Sequence, residues 1–200
     1  MQETTRSLAP SRSSWRVVDI VVASVLAVAT GVVFWAWSLA YGGVAALFLA
    51  FPPLGGLYTG GWLIAGVLGG LIIRKPGAAL YCEVLAAAVS GVLGTQFGLS
   101  VLLSGAIQGL GAELVFLLFL YRKFTLPVAL LAGLGSGLFL GASESILYMP
   151  EWALQWQALY TVFAGVSGLV LAGLLSWLAV RALAGAGVLS AFASGRPADV

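Results

Sequence analysis

The chain has 200 residues, of which 61% are hydrophobic and only 8% charged, and its net charge is +2. A soluble domain carries roughly a quarter charged residues, so no soluble fold of this size could hide so much apolar surface. One cysteine, Cys82, and no histidine exclude a disulfide framework, a Cys/His metal site and imidazole catalysis. The basic residues stand singly or in pairs and make no nucleic-acid surface.

The fold class is therefore an all-α polytopic membrane protein. The first 14 residues are polar, and with no small-residue cleavage site after them they read as a disordered cytoplasmic tail rather than a cleaved signal. Residues 15–182 read as one six-helix transmembrane domain, each span needing about 20 mostly apolar residues. Span 1 is expected at 17–40, and span 2 from 51–55 to 73. Pro52 and Pro53 split off a short apolar piece, 43–50, as an outer or re-entrant loop segment. Span 3 covers 77–95, span 4 covers 98–121 and span 5 covers 125–148. Pro127 falls in the first turn of span 5, where a missing N–H costs little. Span 6 covers 155–181, and residues 183–200 read as a flexible cytoplasmic tail.

The charges test the count. With six spans, Arg16, Arg74, Lys75, Arg122, Lys123 and Arg181 all fall on one side, and the opposite loops hold one acid, Glu151. Both termini are then cytoplasmic by the positive-inside rule. Small residues recur every four on several spans: Ala23, Ala27 and Gly31, then Gly56 and Gly60, Gly66 and Gly70, and Gly133, Gly137 and Gly141. Such ridges serve close packing within the bundle or, for span 1, docking to another membrane protein.

Ionisable groups inside a span are costly and face a cavity or a partner. Asp19, one turn from Arg16, reads as an interfacial ion pair or cap. Counting outward from the basic side places Glu83 roughly 10 Å deep, Glu113 roughly 14 Å, Gln108 roughly 21 Å and Glu144 roughly 28 Å. Trp35, Trp37, Tyr58, Trp62, Gln96, Tyr148, Trp152, Trp156 and Tyr160 reach the same outer half. The rings suit either an interfacial belt or a ligand pocket, and Gln108 and Glu113 either glue helices together or line that pocket. Aromatic faces with a carboxylate suit a flat, cationic or amino-substituted heteroaromatic ring. The expected site is Trp35, Trp37 and Tyr58 around the ring, Glu113 and Gln108 at its edge, Glu83 and Gln96 nearby, and Glu144 with Tyr148 at the mouth. No Walker A motif is present, so the chain lacks that route to ATP. A stand-alone secondary transporter or channel for a similar solute, an intramembrane enzyme and a structural scaffold are the competing readings. The enzyme is disfavoured by the absence of histidine and of paired acids within one helical turn.

Three stretches carry a family resemblance: WRVVDIVVASVLAVATGVVFWAW (15–37), RKPGAALYCEVLAA (74–87), and GTQFGL with SGAIQGLGAELVFLLFLYRK (94–99 and 104–123). Over residues 15–181 the chain resembles the YkoE-type S components of energy-coupling factor (ECF) transporters for thiamine or its hydroxymethylpyrimidine precursor. The resemblance implies a non-enzymatic, substrate-binding subunit in the bacterial plasma membrane. It implies a transmembrane T subunit as partner, docked on Ala23, Ala27 and Gly31. It implies no cofactor in this chain, with ATP used by partner ATPase subunits to topple the S component inward. The family's motif acids and amides fall on Glu83, Gln96, Gln108 and Glu113.

Overall fold

A computed structural model describes residues 14–195, and among them every regular element is helical. Helix α1, Val17–Val44, starts where Arg16 and Asp19 cap each other: the Arg16 amide donates to Asp19 Oδ2 at 2.7 Å and its guanidinium to Oδ1 at 2.8 Å. Lys75 also reaches Asp19, so the acid near the start of α1 is a paired one, as its sequence neighbourhood implies. No proline lies between Val17 and Pro52, and the helical path runs on through a 3-10 turn, Ala45–Phe48. The expected loop piece at 43–50 is thus mostly a continuation of α1.

Pro52 and Pro53 open a 3-10 run, Pro52–Leu63, that leads into α2, Ile64–Ile73. Helix α3, Ala78–Val92, follows a tight turn in which Gly77 adopts φ 83°, a conformation that side chains with a Cβ rarely take. Helices α4, Ser100–Leu118, and α5, Leu126–Tyr148, come next. The last helix is continuous in path but has three parts: α6, Leu154–Ser167, a π-helical stretch, Gly168–Leu174, and α7, Leu175–Gly185. Five stretches are long and apolar enough to cross a membrane: Val17–Phe48, Pro52–Ile73, Ser100–Leu118, Leu126–Tyr148 and Leu154–Gly185. Helix α3 is apolar but has only 15 residues, roughly 22 Å of rise.

Small residues set the helix spacing. A Cβ on Gly141 would lie 2.6 Å from Thr161 Cα, and one on Gly137 would strike the Ala164 carbonyl, so the α5 ridge is the seam with α6. The α1 ridge is likewise internal. Ala23 and Ala27 are fully buried, and a Cβ on Gly31 would lie 2.6 Å from Val89 Cβ on α3. The ridge expected to dock a partner, Ala23, Ala27 and Gly31, is thus buried within this chain, with Ala23 and Gly31 against α3, and the exposed face of α1 carries Val21, Val25, Val28 and Val32.

The expected flexible tail is also shorter than 183–200. α7 extends to Gly185, and beyond it Leu189 and Phe192 are buried while Ser194 Oγ donates to the Ile72 carbonyl at 3.0 Å. The Arg16 guanidinium lies over the Phe192 ring. Residues 1–13 and 196–200, the rest of the expected tails, lie outside the described residues.

Candidate functional site

The bundle has a basic end and an aromatic end. At the basic end the Trp15 indole donates to the Pro76 carbonyl at 2.9 Å, Arg74 lies over Phe124, and Lys75 meets Asp19. Glu113 sits here too. Its Oε1 accepts from the Gly77 amide at 2.6 Å and the Tyr121 phenol at 2.6 Å, and its Oε2 from the Ala79 and Leu80 amides at 2.9 and 3.2 Å. This carboxylate caps the start of α3, where backbone N–H groups have no helical partner. Burial, and then the bond to Glu113, raise the Tyr121 phenol above its ordinary pKa.

At the aromatic end a cavity of about 350 Å³ opens between α1, the 3-10 run, α3, α4, α5 and α6. One wall is aromatic. Tyr41, Trp62 and Phe97 pack together, with Trp62 perpendicular to Phe97 at 5.6 Å between centroids and Tyr41 5.7 Å from Trp62. The Trp62 indole is held by donation to Ser38 Oγ at 3.0 Å. Ser90 from α3, with Ser104 and Gln108 one turn apart on α4, forms a polar strip. Across the cavity stand Glu144 and Tyr148 of α5 and Tyr160 of α6, whose phenol donates to Glu144 Oε2 at 2.5 Å. Such a mixture of ring faces and a few placed polar groups, at this size, is what small-molecule sites are made of.

Of the nine expected site residues, Gln108, Glu144 and Tyr148 line this cavity. Six do not. Glu113 is committed to the α3 cap at the other end, with four donors and no access to a ring. Glu83 is fully buried between helices, accepting from the Gly66 amide at 2.5 Å. Trp37 and Tyr58 stack at 4.5 Å and lock each other, the indole donating to the Tyr58 carbonyl at 3.0 Å and the phenol to the Trp37 carbonyl at 2.9 Å. They form a clasp behind the wall, fixing the end of α1 to the 3-10 run. Gln96 donates to the Ser38 carbonyl at 3.2 Å and so holds the α3–α4 turn beside the cavity. Trp35 is half-buried on α1 and off the cavity.

The residues missing from the expected site are Tyr41, Trp62, Phe97, Ser38, Ser90, Ser104 and Tyr160. A signal existed for some of them. Ala27, Gly31, Phe34 and Ser38 are buried on one stripe of α1, and Tyr41 is the next position of that stripe.

A family profile described as "ABC-type cobalt transport system, permease component" matches residues 18–139. YkoE of Bacillus subtilis (strain 168), whose name describes an HMP/thiamine permease protein, is 37% identical over 190 residues, covering 92% of each chain. A crystal structure of an S component of an ECF transporter superposes with a TM-score of 0.82 at 36% identity, covering 91% of this chain and 92% of that one.

Proposed function

The chain belongs to the YkoE family of ECF-transporter S components, and from that premise we propose that it captures thiamine or hydroxymethylpyrimidine in the aromatic-end cavity and passes it inward. It is a multi-pass protein of the bacterial plasma membrane, and its relatives are transport components rather than enzymes. In this reading six segments cross the bilayer, α3 being the short one, and the basic end is cytoplasmic by the positive-inside rule. The cavity then faces outward. The observation that carries the ligand reading is the cavity itself: a ring-sized slot with Tyr41, Trp62 and Phe97 on one side and Gln108 and Glu144 on others.

In this assignment Trp62 and Tyr41 stack on the pyrimidine, Gln108 and Ser104 meet its ring edge, and Glu144, oriented by Tyr160, accepts from an amino group or faces a cationic ring. Tyr148 stands at the mouth. Trp37, Tyr58 and Gln96 shape the wall without touching ligand. The cobalt of the family profile finds less support: the chain has no histidine, and among the described residues no three Cys, Asp or Glu side chains cluster. The chain needs no cofactor of its own. A transmembrane T subunit and ATPase subunits supply the drive, and the S component topples in the membrane to release its cargo inside.

The test is thiamine titration of the purified chain, read by quenching of its seven tryptophans, with hydroxymethylpyrimidine in parallel. Saturable quenching at nanomolar to low-micromolar ligand is expected. Silence from folded protein overturns the ligand reading, and uptake by the chain alone in liposomes overturns the dependence on ATPase partners.

A further inference from the structure

The polar lining of the cavity is one-sided in charge. Among the described residues it contains no lysine and no arginine, and its only carboxylate is Glu144. The described basic side chains are engaged or placed elsewhere: Arg16 and Lys75 with Asp19, Arg74 over Phe124, Arg181 over Trp177, and Arg122 and Lys123 in the turn between α4 and α5. The hydroxyls of Ser38, Thr59 and Ser100 already donate to the carbonyls of Phe34, Gly56 and Phe97. On the α3–α4 wall, Ser90, Ser104 and Gln108 have no side-chain hydrogen-bond partner among the described residues and face the cavity. These neutral groups suit a heterocycle's edge or an alcohol. They supply none of the positive charge that a buried phosphate, with about −1.5 to −2 charges, requires.

Resting on the ligand reading above, we propose that this site discriminates by phosphorylation state. It takes the free primary alcohol that thiamine and hydroxymethylpyrimidine both carry and refuses the corresponding phosphate esters, with Glu144 as the residue that sets the margin. Two causes act together. Water around the ester would be stripped with no cation to replace it, and the Glu144 carboxylate, fixed by Tyr160, adds like-charge repulsion.

The experiment is calorimetric titration of the full chain in nanodiscs with thiamine, thiamine monophosphate, thiamine diphosphate and hydroxymethylpyrimidine. Wild-type protein is expected to bind the monophosphate at least about 100-fold more weakly than thiamine, and the diphosphate more weakly still. In Glu144→Gln that ratio is expected to shrink by about tenfold, because repulsion is lost while the missing cation remains missing. The wild-type ratio needs no variant, so a poorly folded Glu144→Gln does not leave the proposal open. Monophosphate binding within about threefold of thiamine overturns this inference and leaves the proposed function standing. A ratio unchanged in folded Glu144→Gln overturns the role of Glu144. Failure of all four compounds to bind overturns both the inference and the reading it rests on.

Discussion

At one end of the bundle Glu113 accepts four hydrogen bonds, three from the first turn of α3 and one from Tyr121; at the other, Glu144 accepts one, from Tyr160, and borders a cavity. In sequence the two are alike, single acids in apolar helices. Their environments differ in the supply of donors. A carboxylate with its lone pairs filled is a structural pin, because removing it strands several buried N–H groups. One with a single protein donor keeps acceptor capacity for something that arrives later. The count of donors, rather than depth in the membrane, separates the two roles.

Four substitutions break or sharpen this contrast. The largest effect is expected from Glu113→Ala: about 4 kcal/mol of stability lost, as three amides and a phenol lose their partner, while the folded fraction keeps thiamine affinity. Thermal unfolding in detergent followed by titration reads both quantities, and a weakened ligand with normal stability would reverse the assignment. Glu144→Ala is expected to do the opposite, lowering thiamine affinity about 100-fold with little change in melting temperature. Gln108→Ala, which removes one neutral edge contact, should weaken binding about tenfold by the same titration. Tyr121→Phe is the smallest change, about 1 kcal/mol of stability and none of affinity.

The Tyr121 phenol has a further signature in its raised pKa. The folded state holds its proton where the unfolded chain releases it, so its contribution to stability is present below the ordinary tyrosine value of about 10 and fades as pH rises above it. Tyr121→Phe should flatten that part of the stability profile relative to wild type, and a parallel pair of profiles would argue against the Glu113 contact.

Composition and charge spacing placed the helices within a few residues, since length and polarity report directly on a bilayer-spanning fold. Which way side chains point was less legible. In a helix that is apolar all round, no stripe distinguishes core from lipid, so the Ala23, Ala27 and Gly31 ridge reads as a packing seam from its spacing, with docking as the alternative to which the family resemblance points. Glu113 was misplaced for a different reason. Its depth was counted outward from Arg122, but α4 ends at Leu118 and the chain turns back through Leu120 and Tyr121, both at positive φ. Because α3 is short, its first amides meet Glu113 at that level, a coincidence of two helices that counting along one cannot show. Gln108 and Glu144 stand out in the sequence because costly polar groups in apolar helices announce themselves, and with Tyr148 they line the cavity. Phe97, Tyr41 and the serines look ordinary until the helices meet.

The π-helical stretch Gly168–Leu174 works as a phase shifter in the last helix. A π-bulge accommodates one residue beyond regular α-winding, which turns everything after it by roughly 100°. Before the stretch, Tyr160 faces the cavity and Ala164 the α5 seam; after it, Ser176 Oγ reaches the Ile64 carbonyl on α2 at 3.4 Å. One helix thereby serves two differently oriented neighbours. Deleting a single residue there, such as Leu171, would remove the extra residue and let the winding become regular with Ser176 and Val180 still on α2, whereas regular winding of the full-length stretch would swing both away from α2 and leave Tyr160 in place.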